Sequence, residues 1–287
     1  MTAAVEFAPR RPTPPSRLGR TLWELAALGV FALCVSGLDA DWETLAQAPA
    51  SAWEYTQLMV RGILNNPFAQ PYSEYWLTAI EYMMASLAMA WIGTAIAAVL
   101  SLPVGLLAAR NVSPAWVVFP VRQVLNAIRA VPDLIFAIVI MIPVFGLGPL
   151  AGALALGLGS IGTIGKLTAE AIEGVPPATI DAVRATGARQ VQVLRWGVIP
   201  QVAPEIASFW LYRFEVNIRA GAILGAVGAG GIGSLLSQLF RLRDWDRIGI
   251  ALFTIIAITM IVDAISGAVR HRIIGNEEPP GRRRRPR

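Results

Sequence analysis

Residues 82–109 run for 28 positions without a charged side chain. A helix over that stretch is about 42 Å long at a rise of about 1.5 Å per residue, longer than the roughly 30 Å hydrocarbon core of a bilayer. No other feature narrows the fold as far, because backbone in lipid must satisfy its own hydrogen bonds and an α-helix does so within one segment. With 55% hydrophobic residues, 15% charged residues and a mean hydropathy of +0.56, the chain departs from soluble usage in the same direction. A second uncharged run, 134–165, is broken by Gly146-Leu147-Gly148-Pro149, which predicts a tight turn between two spans. In that hairpin Arg122, Arg129 and Asp133 on one flank, and Lys166 and Glu170 on the other, are expected near the interfaces. Segments 202–224 and 248–269 and a short first span, 22–38, bring the count to six. The expected class is all-α and polytopic.

Arginine placement predicts orientation. Four arginines stand in the first twenty residues, seven from Arg270 onward, and Arg184, Arg189 and Arg195 between the fourth and fifth spans, so these regions belong on the cytoplasmic side. The acids Asp39, Asp41, Glu43, Glu54 and Glu74 against a single Arg61 suit the outer side, and six spans put both termini inside. The expected divisions are a cytoplasmic tail 1–21, an uncleaved anchor 22–38, an extracytoplasmic segment 39–75, a transmembrane domain 76–272 with a cytoplasmic loop 173–200, and an Arg-rich tail 273–287. Arg282 to Arg285 read as a topology signal touching anionic membrane lipid rather than nucleic acid. With Cys34 the only cysteine and His271 the only histidine, neither an intrachain disulfide nor a multi-ligand Cys/His metal site is available.

Two glycine motifs imitate nucleotide sites. Residues 228–233, GAGGIG, have the spacing of a dinucleotide-binding turn, but that turn needs a preceding strand, whereas the upstream segment reads as a membrane helix. Residues 159–168, GSIGTIGKLT, approach a phosphate-binding loop, yet Ser160 stands where the first glycine belongs and Leu167 where the magnesium-holding hydroxyl belongs. No cofactor is expected in this chain.

The stretch EGVPPATIDAVRATGARQVQVLRWGVIPQVAP, 173–204, is too polar to span and too regular for a linker. It predicts a helix over 178–186, a left-handed cap at Gly187, a second helix over 190–196, and Pro200 at the start of the next span. The order Asp181-Ala182-Val183, Gly187, nine residues, then Gly197-Val198-Ile199-Pro200 resembles the EAA loop of binding-protein-dependent ABC importer permeases. Taken with YRFEVNIRAGAILGAVGAGGIG, 212–233, the region is similar to phosphonate-importer permeases in particular, over roughly residues 75–272. The resemblance implies a type I importer permease fold with cytoplasmic coupling helices, with no catalytic residues of its own. It also implies a second permease chain, identical or related, two ATPase subunits that hold ATP and magnesium, and an extracytoplasmic solute-binding protein. Asp181, Ala182, Arg184, Gly187, Arg189 and Pro200 would then form the ATPase-coupling surface. The implied cargo is a phosphonate, phosphite or phosphate. A sulfonate, amino acid or quaternary amine is the alternative, and an intramembrane enzyme or a stand-alone channel is a different class altogether.

Within the fifth apolar segment lie Arg213, Glu215, Asn217 and Arg219. Charge in hydrocarbon costs at least about 2.5 kcal/mol, so these groups must face a bundle interior, a watery path or one another. Glu215 and Arg219, four apart, can pair on one helical face. Alternatively Arg213 and Arg219 flank the path of an anion, since guanidinium matches an oxyanion in charge and fork geometry. Downstream, residues 220–240 are expected to end the span and turn into a short re-entrant helix, with Gly228, Gly230, Gly231 and Gly233 allowing close packing or a hinge at a gate or dimer interface.

Overall fold

The structure is a computed structural model in which residues 17–37 and 42–275 are described. The terminal arginines Arg10, Arg11 and Arg282 to Arg285, and the acids Asp39 and Asp41, lie outside the described residues. Two compact units divide the chain, Met1–Glu54 and Tyr55–Arg287. In the first, α1 (Arg17–Ser36) begins five residues before the expected span and presents Leu22, Trp23, Leu25 and Phe31 outward, as a helix bathed in hydrocarbon does. The helix α2 (Trp42–Leu64) starts in this unit and ends in the second. It occupies a segment whose sequence signal was charge alone.

The second unit is built on α3 (Tyr72–Ala108), ten residues longer at its start than the uncharged run. It packs against α7 (Pro149–Glu173) through small residues. At Gly93 a side-chain carbon would lie 2.7 Å from the Ala153 carbonyl oxygen, so only a bare Cα permits this approach.

Between them, α4 (Ala115–Ala130) and the group α5 (Asp133–Ile135), a wide π turn (Phe136–Met141) and α6 (Ile142–Phe145) make a bent pair with an angle of 86°. The bend falls where it must: Val131, preceding Pro132, is pushed to an extended conformation (φ −95°, ψ 122°), which ends α4. The expected turn at 146–149 is present, with Gly146 and Gly148 at positive φ.

After α7 come α8 (Pro177–Ala185), α9 (Gln190–Gln192), a second π turn (Val193–Val198) and α10 (Ile199–Leu224). After both π turns one isoleucine intervenes and a proline follows, Pro143 and Pro200. A proline ring clashes with the carbonyl four residues back and offers no N–H, and a widened preceding turn relieves both problems. A third π turn (Gly225–Ala229) leads through a break to α11 (Ile232–Leu242), bent by 60°, and α12 (Trp245–Gly275) closes the unit. Among the described residues, four helices are long and apolar enough to cross a membrane, or up to six spans if each bent pair counts as one. Inside the unit, Met83, Ile218, Ile232 and Ile248 join α3, α10, α11 and α12, while Leu125, Ile172, Ile180 and Val198 clamp α8 to the bundle.

Candidate functional site

Arg213 and Asn217 are four apart and so share one face of α10. That face looks into a buried polar network drawn from four helices. The Arg213 Nη2 donates to Asp133 Oδ2 at 2.9 Å and to Oδ1 at 3.3 Å, and its Nε donates to Ser160 Oγ at 2.8 Å. Ser160 Oγ also accepts from Asn217 Nδ2 at 3.0 Å, and the same amide nitrogen donates to Thr94 Oγ1 at 2.9 Å. Thr94 Oγ1 in turn donates to the Ala90 carbonyl. Asn217, Ser160 and the backbone around them are sealed from solvent, whereas Arg213 and Asp133 keep 14% and 20% of their side-chain surface. The network lies deep: Ser160 is eleven residues from the start of α7 and thirteen from its end (149, 160, 173). Asp133 belongs to this depth and not to an interface, which corrects the expectation for the hairpin flank. Its carboxylate rests against Gly159, where any side chain would collide with it.

Glu215 and Arg219 occupy the opposite face and do not pair with each other. Glu215 accepts from Arg270 Nη2 at 2.8 Å, and Arg219 approaches Asp263 at 3.6 Å. The i,i+4 pairing is overturned because α12 brings its own polar stripe alongside: Thr259, Asp263, Ser266 and Arg270 recur at helical spacing. Partners from another helix can meet the charges head on, while two residues on one helix surface interact only weakly. Arg219 remains 57% exposed and Asp263 40%.

At the α8 end, Glu173 accepts from the Arg110 backbone N–H and from Arg122 Nη2, both at 2.6 Å, tying α3, α4 and α7 together. Here α8 presents Asp181, Ala182 and Arg184 outward, with Asp181 and Arg184 3.6 Å apart. Gly187 has φ 78° and its N–H caps the helix on Arg184 O at 2.9 Å; Arg189 opens the next turn by donating its backbone N–H to Gln192 Oε1. The second helix is a single turn that widens into the π segment and runs into α10 with Pro200 in its first turn, so this half of the loop is continuous with the following span. Its partner α8 is separated from α7 by Gly174-Val175-Pro176, which leaves a single continuous arm. Ile180 anchors α8 below, and Val183 packs on Gly197, where a side-chain carbon would stand 3.2 Å away.

The glycine break sits at the other end. Gly228, Gly230 and Gly231 have φ of 102°, 80° and 68°, conformations that other residues rarely adopt. The Gly228 carbonyl accepts from Gly148 N–H at 3.0 Å, and the Ile232 N–H donates to Ser86 Oγ at 2.9 Å, so the break is seated between the α6–α7 turn and α3. Gly233 packs against the Ala222 backbone. The structure thus joins Arg213 with Asn217, separates them from Glu215 and Arg219, and keeps the α8 surface and the glycine break as two further places. Three members of the network are not evident from the sequence: Asp133, Ser160 and Thr94. The Val131-Pro132 pair next to Asp133 is the available signal, since it marks a bend that can swing a carboxylate inward.

Residues 101–275 match the family described as binding-protein-dependent transport system inner membrane component. A phosphite transport system permease of Stutzerimonas stutzeri is 47% identical over 192 residues, 67% of this chain and 70% of the relative. A phosphate-import permease of Mycolicibacterium smegmatis is 35% identical over 261 residues, 91% of this chain, which spans about half (49%) of that longer protein. Among solved structures, a chain of the MetNI methionine ABC transporter superposes with a TM-score of 0.63 over 72% of this chain and 99% of its own, at 21% identity, a likeness of fold. These matches, with a bundle of apolar helices, make this a multi-pass membrane permease and not an enzyme, one that works with an ATPase and a binding protein. The chain belongs to the family of inner membrane components of binding-protein-dependent ABC importers.

Proposed function

We propose that this permease carries a phosphorus oxyanion, whether phosphonate, phosphite or phosphate, by alternating access. The single observation that carries the reading is Arg213, a guanidinium held at mid-depth by Ser160 and Asp133 and still partly open. A cation kept there against the cost of desolvation suits an anionic cargo, and relatives named for phosphite and phosphate support the same class. Two identical chains form the pathway, with both termini and the α8 end cytoplasmic. Two ATPase subunits hold ATP and magnesium, and this chain holds no cofactor. Asp181, Ala182, Arg184, Gly187, Arg189 and Pro200 form the docking surface; closure of the motor pushes α8, and the continuous arm from Gln190 carries the push into α10. At the far end Gly228, Gly230, Gly231 and Gly233 form the hinge by which α11 gates the outer mouth.

The test is ATP-driven uptake into vesicles containing permease and ATPase, with the binding protein supplied outside. Labelled phosphate, phosphite and methylphosphonate are set against sulfate, an aliphatic sulfonate, methionine and betaine. At least one phosphorus oxyanion accumulates in an ATP-dependent way; accumulation of only an amino acid, a sulfonate or a quaternary amine would overturn the reading.

A further inference from the structure

We infer that Arg213 is the anchor of an oxyanion site inside the bundle, and that the Asp133 carboxylate is its resident occupant, standing in the place that the transported anion takes during passage. This rests on the reading of the chain as an oxyanion permease.

Three observations carry it. The first is the shape of the contact. Both Asp133 oxygens face Arg213 Nη2, at 2.9 and 3.3 Å, and Ser160 Oγ stands beside them on Arg213 Nε. A carboxylate edge and two oxygens of a tetrahedral oxyanion present a guanidinium with much the same pair of acceptors. Gly159 gives the carboxylate a bare stretch of backbone to lie on, and among the described residues Arg213 Nη1 has no acceptor, so donor capacity is left over. The second is where the partners stand: only one of them lies beyond the bend. Arg213 sits on α10 and Ser160 on α7, pinned together through the fully buried Asn217, which also reaches Thr94 on α3. Asp133 instead opens the short arm just past the Val131-Pro132 bend, on the far side of an 86° corner. A swing of that arm withdraws the carboxylate and leaves the guanidinium with its hydroxyl neighbour in position. The third is electrostatic. A lone guanidinium at this depth is costly, and a built-in anion keeps it neutralised between cargoes; a cargo anion then takes over the ion pair while the displaced carboxylate, already 20% exposed, turns to the watery path.

The experiment uses the assembled importer, permease with ATPase, and follows its thermal midpoint in detergent with chloride or with inorganic phosphate at equal ionic strength. In Asp133→Ala the midpoint falls in chloride and millimolar phosphate returns it most of the way, because an anion that binds only the folded state stabilises it. Wild type, its site already filled, shows only the shift that phosphate causes through the ATPase, and the double variant Asp133→Ala/Arg213→Gln shows that same baseline. An equal midpoint for Asp133→Ala in phosphate and chloride overturns the inference. If Asp133→Ala does not assemble, Asp133→Asn keeps the shape without the charge: phosphate titrated calorimetrically then gives a binding heat beyond that of wild type, and its absence is the overturning result. If wild type imports a phosphorus oxyanion while rescue fails, the inference falls and the function stands; if rescue succeeds without such import, the anion site stands and the function falls.

Discussion

The two polar faces of α10 use the same kinds of residue to opposite effect. On the inner face, Arg213 and Asn217 find partners on three other helices, and hydroxyl, amide and carboxylate interlock at 2.8–3.3 Å. On the outer face, Glu215 and Arg219 meet only α12, and there Thr259 Oγ1, Asp263 Oδ1, Ser266 Oγ and Arg270 Nε are buried without a partner among the described residues. The inner network fixes geometry because each of its residues has at least one partner on another helix; a half-satisfied stripe leaves donors and acceptors for water or another chain. Charge count alone would not separate them. What separates them is how many helices converge.

If the inner face is the closed one, breaking it from one side should do the most damage. Arg213→Gln leaves Asp133 charged and unpaired among apolar helices, and removing one partner of a buried pair costs about 3–5 kcal/mol. Yield of assembled permease and its thermal midpoint should both fall steeply, with uptake at background. The double variant Asp133→Asn/Arg213→Gln removes both charges and should regain most of the assembly while uptake stays lost. Recovery of uptake along with assembly would make the pair a packing device alone.

Much of the frame is legible in the residues alone. Runs without charge mark the spans, Gly146 to Pro149 mark the turn, and Gly187 after a short amphipathic stretch marks a left-handed cap, because each is a local matter of spacing or backbone freedom. The pairings are not legible. Arg213 and Asp133 are 80 residues apart and Glu215 and Arg270 are 55 apart, and helical periodicity says only which residues share a face, never which helix that face meets. Periodicity therefore offers Glu215 only the partner on its own helix, Arg219. The amphipathic α4 is hidden for another reason: Pro120 lies within it and Arg122 and Arg129 break its apolar run, so it matches no uncharged span. For α2, Pro49 and the scattered acids have the same effect.

A matched pair of glycines probes the same contrast with a single methyl group. At position 159 an alanine drives its Cβ into the Asp133 carboxylate, so Gly159→Ala must push the short arm away from Arg213. Overpacking of this kind costs about 1–3 kcal/mol. At position 267, beside the α12 stripe, nothing lies within 4 Å of an added Cβ, so Gly267→Ala serves as the control. In water such a change would gain about 0.5–1 kcal/mol from a stiffer unfolded chain, but helices persist in the membrane-bound unfolded state and shrink the gain. Gly159→Ala should lower both midpoint and uptake, and Gly267→Ala should leave both near wild type. Equal effects would mean that the inner face has room the distances do not show.

Among the charge variants, the smallest effect on stability belongs to Arg219→Ala. With more than half its surface exposed and Asp263 3.6 Å away, Arg219 forms the kind of open ion pair worth on the order of 1 kcal/mol or less after solvent screening. Asp263, already short of one partner, keeps contact with solvent through its own exposure and so does not become a buried lone charge. Assembly and midpoint should barely move, and uptake should fall by less than it does in Arg213→Gln, because the open face supplies long-range attraction where the closed face supplies contact. Parallel measurement of uptake in the two arginine variants, each normalised to assembled permease, ranks the faces directly. Should Arg219→Ala abolish uptake in a fully assembled importer while Arg213→Gln, rescued for assembly by Asp133→Asn, still transports, the path runs along α12 and the inner network is structural.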